Sequence, residues 1–352
     1  MRATTLLLAA LLATASSSAT PPAQPKTGPG GAEVSHQGVT AKLYGTGARA
    51  YWLFEPAAPR PEQAPLLVFL HGWSGMQPRI YGAWIEHLVK RGSIVVFPLY
   101  QDSLRTPVAD FTPNAVAAVT DAIHRLRTEP GHVQPMLDKF ALAGHSMGGV
   151  VAANLAARWE KDGLPRPRAV MAVQPGKTWT QSKRTAVKLE DLSRIPAGTL
   201  LLAVTGDRDT LARDVDAKRI FRESTRILRE DKNYVTLVSD GHGQPALTAN
   251  HFAPVAPDAA LAPDTPETAG PLRRRLRERL QQRRAERSDS ATLRGVDALD
   301  WYGTWKLLDG LTDAAFFGKN RRYALGNTPE QRFMGRWSDG VAVKELLVND
   351  KP

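Results

Sequence analysis

Phe140-Ala-Leu-Ala-Gly-His-Ser-Met-Gly-Gly-Val150 is the stretch whose reading decides the fold. An apolar run enters Gly144-His145-Ser146-Met147-Gly148, and small apolar residues follow it to Arg158. A buried strand that turns sharply into a helix reads this way. The glycines free the backbone for the turn, and the serine is left at its tip in a strained conformation with its hydroxyl presented.

Outward from this point the chain alternates. Residues 65–70 (Pro-Leu-Leu-Val-Phe-Leu) are continuously apolar, as in a strand buried on both faces. His71-Gly72-Trp73-Ser74-Gly75 follows as a loop. Helical spacing places Trp84, Ile85 and Leu88 on one side of residues 81–90. Strands are predicted at 93–98, 139–143, 169–173, 200–204 and 234–238, the last of these ending the sheet. Helices are predicted at 115–126, 150–159 and 214–222. A hairpin at 41–44 and 50–54 precedes them. This pattern means an α/β fold, a mostly parallel central sheet with helices on both faces. Right-handed crossovers then collect the strand carboxyl ends, and the loops after them, along one edge. That edge carries His71-Gly72, Ser146, Asp209 and His242.

A serine hydroxyl needs a base within hydrogen-bond reach, and the base needs a carboxylate to orient it. Asp209 follows an apolar strand in Gly206-Asp-Arg-Asp209, with Asp207 the near alternative. Of the 8 histidines, His242 and His251 are the two that come after Asp209. His242 stands four residues beyond the strand at 234–238 and is the first choice for the base; His251 is the alternative. The amide N–H groups of Met147 and Trp73 are candidate oxyanion donors, at a helix N-terminus and in the loop after the first apolar strand. Trp73, Met147, Trp179 and Tyr81 are candidate walls of the acyl site. The order Ser, acid, His along the chain is the one found on α/β-hydrolase sheets.

On His71-Gly72, Gly144-His-Ser-Met-Gly-Gly149, Gly206-Asp-Arg-Asp209 and His242 or His251, the chain resembles the α/β-hydrolase superfamily. Within it, the likeness is to dienelactone-hydrolase-like and cutinase-like serine esterases. The resemblance covers about residues 64–252 and 296–317. His251-Phe-Ala-Pro254 is similar to the segment around the catalytic histidine of cutinases. The chain departs from dienelactone hydrolases in carrying serine where they use cysteine. It departs from secreted cutinases in lacking their cysteine pair. The resemblance implies a hydrolase of small esters or polyesters; no cofactor is expected, and two histidines with no organised carboxylate partners give no reason to expect a metal. The alternatives are a peptidase or amidase on the same fold, or an inactive hydrolase fold that binds a polyanionic surface.

The rest of the chain bounds this reading. Residues 1–19 have one early positive charge, a short apolar core and small residues up to Ala19, the make-up of a secretory signal. An exported protein, periplasmic or secreted, is therefore expected. Residues 20–35 are rich in Pro, Gly and Ala and are expected to be a flexible leader to a core at 36–252. There are 0 cysteines, which excludes disulfides, thiolate metal sites and a cysteine nucleophile. No segment is apolar for long enough to span a bilayer. No Gly-Lys-Ser/Thr phosphate loop occurs, and no specific nucleic-acid partner is expected.

The net charge of +11 is concentrated in Arg273, Arg274, Arg275, Arg277, Arg279, Arg283, Arg284 and Arg287. They lie in a Pro/Ala-rich insertion at 253–295, expected to be weakly ordered and a candidate for weak contact with a polyanion. Residues 296–317 read as an apolar helix capping the sheet, and 318–352 as a C-terminal extension held by packing. Lys177, Lys183, Arg184, Lys188 and Arg194 make 176–197 polar, which favours an open site for short acyl esters over a lidded lipase site.

Overall fold

The structure is a computed structural model that describes residues 18–176, 186–258, 260–261 and 295–352. One sheet of nine strands runs through it in the order β1-β2-β4-β3-β5-β6-β7-β8-β9. β1 (Gly38–Tyr44) and β2 (Tyr51–Ala57) form the expected hairpin, and β2 lies antiparallel to β4 (Ile94–Pro98). β3 (Gln63–Leu70), β4, β5 (Gln134–His145), β6 (Pro167–Val173), β7 (Leu200–Gly206) and β8 (Lys232–Leu237) are parallel.

The apolar runs have the cause that their composition suggested. Along β3, Leu67 and Phe69 enter the core on one face of the sheet, and Leu66, Val68 and Leu70 enter the core on the other. Period-two alternation disappears when both faces are dry. α1 (Gly82–Lys90) covers the first face with Trp84, Ile85 and Leu88, beside α5 (Lys306–Phe317) with Leu307, Leu308 and Leu311. α2 (Phe111–Thr128) and α3 (Met147–Arg158) cover the second. α4 (Val215–Glu223) packs beside β7 and β8. Among the described residues, no helix is long and apolar enough to cross a membrane.

Several expectations change here. The sheet does not end at β8: β9 (Leu347–Asn349), from the C-terminal extension, pairs antiparallel with it. The extension also carries the short helix α6 (Pro329–Arg332) and buries Met334, Trp337 and Leu346 in the core. The capping element at 296–317 is two pieces, a π-helical stretch Leu299–Trp305 that runs into α5.

The leader is not loose where it is described. Thr20 and Ser338 exchange hydrogen bonds, Gln244 N–H donates to Ala19 O at 2.8 Å, and Gly30 N–H donates to the buried Asp309 carboxylate at 2.7 Å. Pro and Gly preclude regular secondary structure, but they do not preclude packing. Order also reaches past 252: Val255 and Ala256 are buried, and Asp258 N–H donates to Arg79 O. The arginine cluster, Trp179 and residues 1–17 of the signal-like segment lie outside the described residues.

Candidate active site

β5 delivers the chain to His145, and α3 starts at Met147. Ser146 between them has φ 56 and ψ −123, a conformation that side chains disfavour. Two close approaches hold it there. A Cβ on Gly144 would lie 2.2 Å from Gly148 O, and one on Gly148 would lie 2.1 Å from Leu70 O. The glycines therefore let α3 start against β5 and β3. Ser146 N–H donates to Val173 O at 2.9 Å, and Ser146 O accepts from Gly149 N–H at 3.0 Å. The tip is thus fixed from both sides.

The serine Oγ lies 2.9 Å from Nε2 of His251, and His251 Nδ1 lies 2.8 Å from Asp209 Oδ2. Asp209 Oδ1 accepts from the amides of Leu211 and Ala212, each at 2.9 Å. Burial works to raise the Asp209 carboxyl, but the hydrogen bond and charge of His251, with these amides, outweigh it and hold the carboxyl below its ordinary range. The carboxylate is thus ionised and aimed. A carboxylate can only accept, so Nδ1 of His251 carries the proton and Nε2 is free to take one from the serine.

The preferred base is corrected. His242 does not face Ser146; its Nε2 lies 2.7 Å from Asp339 Oδ2 on the exposed rim, with its ring beside Trp337. Distance along the chain misled because the loop after β8 is pinned. Ser239 is held by both carboxylate oxygens of Asp207, which is therefore an anchor and not the orienting acid. Asp240 and Leu247 then pair as a β-bridge. The excursion between them carries His242 outward to the exposed surface and returns the chain through Ala249, whose N–H donates to Ser239 Oγ. His251 comes after that return and reaches the serine.

The expected walls change too. Tyr81 is buried, and its hydroxyl lies 3.0 Å from Gly72 N and 2.9 Å from His145 Nδ1, behind the site and not lining it. The Met147 side chain packs into the core with Val150 and Val151, which leaves its main chain as the part near the serine. Trp73 is exposed, its ring set against Phe111. Gly72, next to it, comes close enough to Ser146 that a Cβ there would lie 3.2 Å from Ser146 Cβ. Exposed Leu104, Leu211 and Phe252 stand in other loops of this edge, after β4, β7 and β8.

Sequence reasoning missed Gln174, whose Nε2 donates to Asn250 O at 2.8 Å, and the part played by His145, whose Nε2 meets His251 O at 2.8 Å. No sequence signal marks a side chain that bonds to a distant main chain. Among the described residues, no three His, Cys, Asp or Glu side chains group as metal ligands.

No curated protein matches the chain. Residues 43–193 match a family model described as Chlorophyllase, a family in the α/β-hydrolase superfamily. The match takes in β2 to β6 and the elbow at Ser146 and stops before Asp209 and His251. Together with the nine-stranded, mostly parallel sheet and its flanking helices, this likeness shows an α/β-hydrolase fold.

Proposed function

We propose that the protein is a serine hydrolase that cleaves carboxylic esters through an acyl-enzyme. The observation that carries this reading is the line of hydrogen bonds from Ser146 Oγ through His251 to Asp209, 2.9 Å and 2.8 Å long. Ser146 Oγ attacks the ester carbonyl carbon while His251 Nε2 takes its proton. Asp209 stabilises the imidazolium that forms. The oxyanion is held by the N–H of Met147, at the start of α3, and by that of Trp73. His251 returns the proton to the leaving alcohol. Water, deprotonated by the same imidazole, then releases the acid and restores the serine.

The family description, Chlorophyllase, supports ester cleavage. The exposed apolar side chains of Trp73, Leu211 and Phe252 beside the site suit esters with an apolar group. The signal-like residues 1–19 support export, which cell fractionation with the chain expressed in full would test.

A fluorophosphonate probe tests the chemistry. It should form one adduct, located by mass spectrometry on Ser146, and Ser146→Ala should abolish hydrolysis of p-nitrophenyl butyrate. An unlabelled Ser146, or turnover retained by Ser146→Ala, would refute the reading.

A further inference from the structure

Behind the serine, two buried side chains join the loop after β3 to the loop that carries His251. Gly72 N lies 3.0 Å from Tyr81 Oη, Tyr81 Oη lies 2.9 Å from His145 Nδ1, and His145 Nε2 lies 2.8 Å from His251 O. Each proton in this chain can be assigned from its ends. The carbonyl of His251 can only accept, so Nε2 of His145 carries the hydrogen. Nδ1 is then an acceptor, and the Tyr81 hydroxyl must donate to it. The phenol oxygen is left to accept from Gly72 N–H. Every donor has an acceptor, and the direction runs one way from the Gly72 amide to the His251 carbonyl.

Burial keeps this arrangement single. Desolvation, with the nearby His251, lowers His145 to about 3. A neutral ring matters at this place, because its centroid is 4.9 Å from that of His251. A second imidazolium so close would oppose the proton that His251 must accept in each step. The neighbouring carbonyl, Asn250 O, is held in the same way by Gln174 Nε2 at 2.8 Å. The backbone beneath the imidazole is thus gripped by two buried side chains.

We propose that Tyr81 and His145 are positioning residues that lock the Gly72-Trp73 loop and the His251 loop into one frame, so that the oxyanion donor and the general base keep a fixed separation about Ser146. This rests on the serine-hydrolase reading above. The two loops follow different strands, β3 and β8, with β5, β6 and β7 between them in the sheet. The sheet alone sets their spacing only as well as its twist is set. The catalytic groups need more: a misplacement of about 1 Å can cost on the order of a hundredfold in rate.

The test compares Tyr81→Phe, His145→Phe and His145→Gln on p-nitrophenyl butyrate, with Tm measured for each. Tyr81→Phe keeps the ring and removes the hydroxyl. It should lower kcat about tenfold while KM stays within about twofold. His145→Phe should lower kcat further, and His145→Gln should regain part of the loss, because its amide can still donate to His251 O. A folded Tyr81→Phe with kcat within about twofold of wild type overturns the proposal. If Tyr81→Phe does not fold, nitrogen-15 NMR of the wild-type histidines decides. The neutral Nε2–H tautomer at residue 145 throughout the active pH range is the expected result, and the Nδ1–H tautomer overturns the proposal. Fluorophosphonate labelling of the wild type separates the two failures. No adduct on Ser146 sinks the hydrolase reading, whereas an adduct with unchanged Tyr81→Phe kinetics sinks the positioning role alone.

Discussion

His251 Nε2 lies 2.9 Å from Ser146 Oγ, although the two residues are 105 positions apart in the chain. His242, which stands closer to the end of β8, pairs instead with Asp339 on the surface. The two histidines should therefore respond very differently to substitution. His251→Ala should lower kcat/KM by about four orders of magnitude, and His242→Ala should change it by less than about threefold. Steady-state hydrolysis of p-nitrophenyl butyrate measures both, and equal losses would refute the assignment of the base.

The elbow should tolerate no side chain at its second glycine. A Cβ at Gly148 would lie 2.1 Å from the Leu70 carbonyl oxygen, a main-chain atom of a central strand that has no room to withdraw. Gly148→Ala should cost about 3 kcal/mol or more, or yield no soluble protein. Thermal unfolding checks this, and a Tm within about 2 °C of wild type would contradict the geometry.

Two buried rings should make the fold sensitive to acid. Burial lowers His71 from 6.5 to about 4, and burial together with His251 lowers His145 from 6.5 to about 3. Below pH 6.5 the unfolded chain binds protons at these rings that the folded chain refuses. Their contribution is therefore complete above that pH, declines as the pH falls towards 4 and 3, and then levels off. Urea unfolding between pH 7 and pH 4 should show His71→Asn with a shallower loss of stability than wild type, about 1 kcal/mol or more less across the range. An identical slope would speak against a neutral buried ring at 71.

Lys306 should show the opposite end of the pH scale. Burial lowers its amine from 10.5 to about 7 while Nζ donates to the carbonyls of Gln331 and Phe333, at 2.8 Å and 2.5 Å. At pH values between these limits the unfolded chain holds a proton that the folded chain has released, so stability rises with pH. The advantage of wild type over Lys306→Met should grow between pH 7 and pH 9, by about 1 kcal/mol or more. A constant difference in chemical denaturation would mean that the amine stays charged.

The exposed apolar rim should act on substrates and not on the fold. Trp73 is 37% exposed next to Gly72, and its ring makes a tilted contact with Phe111. Trp73→Ala should lower kcat/KM for p-nitrophenyl butyrate more than for the acetate, by about threefold or more, with Tm changed by less than about 3 °C. Equal effects on both esters would place the acyl group elsewhere.

The amino-acid sequence by itself determined the α/β architecture, because strands buried on both faces need continuous apolar runs and their crossover helices need a 3.6-residue period. It determined the elbow for a similar local reason: Gly144, Ser146 and Gly148 lie within one turn, so their mutual fit is written in adjacent residues. Asp209 was legible because it follows directly on β7. Only the tertiary structure decided which histidine meets the serine. That depends on the Asp207–Ser239 anchor and the Asp240–Leu247 bridge, which bend the loop so that nearness in sequence to β8 no longer means nearness to Ser146. The same holds for Tyr81 and Met147, which residue type suggested as walls of the site and packing turned inward. It holds also for the leader and the C-terminal strand, whose places are fixed by hydrogen bonds to residues more than a hundred positions away, such as Thr20 to Ser338 and β9 to β8. Local periodicity records what a residue is buried against in its own element, but not which distant loop folds back over it.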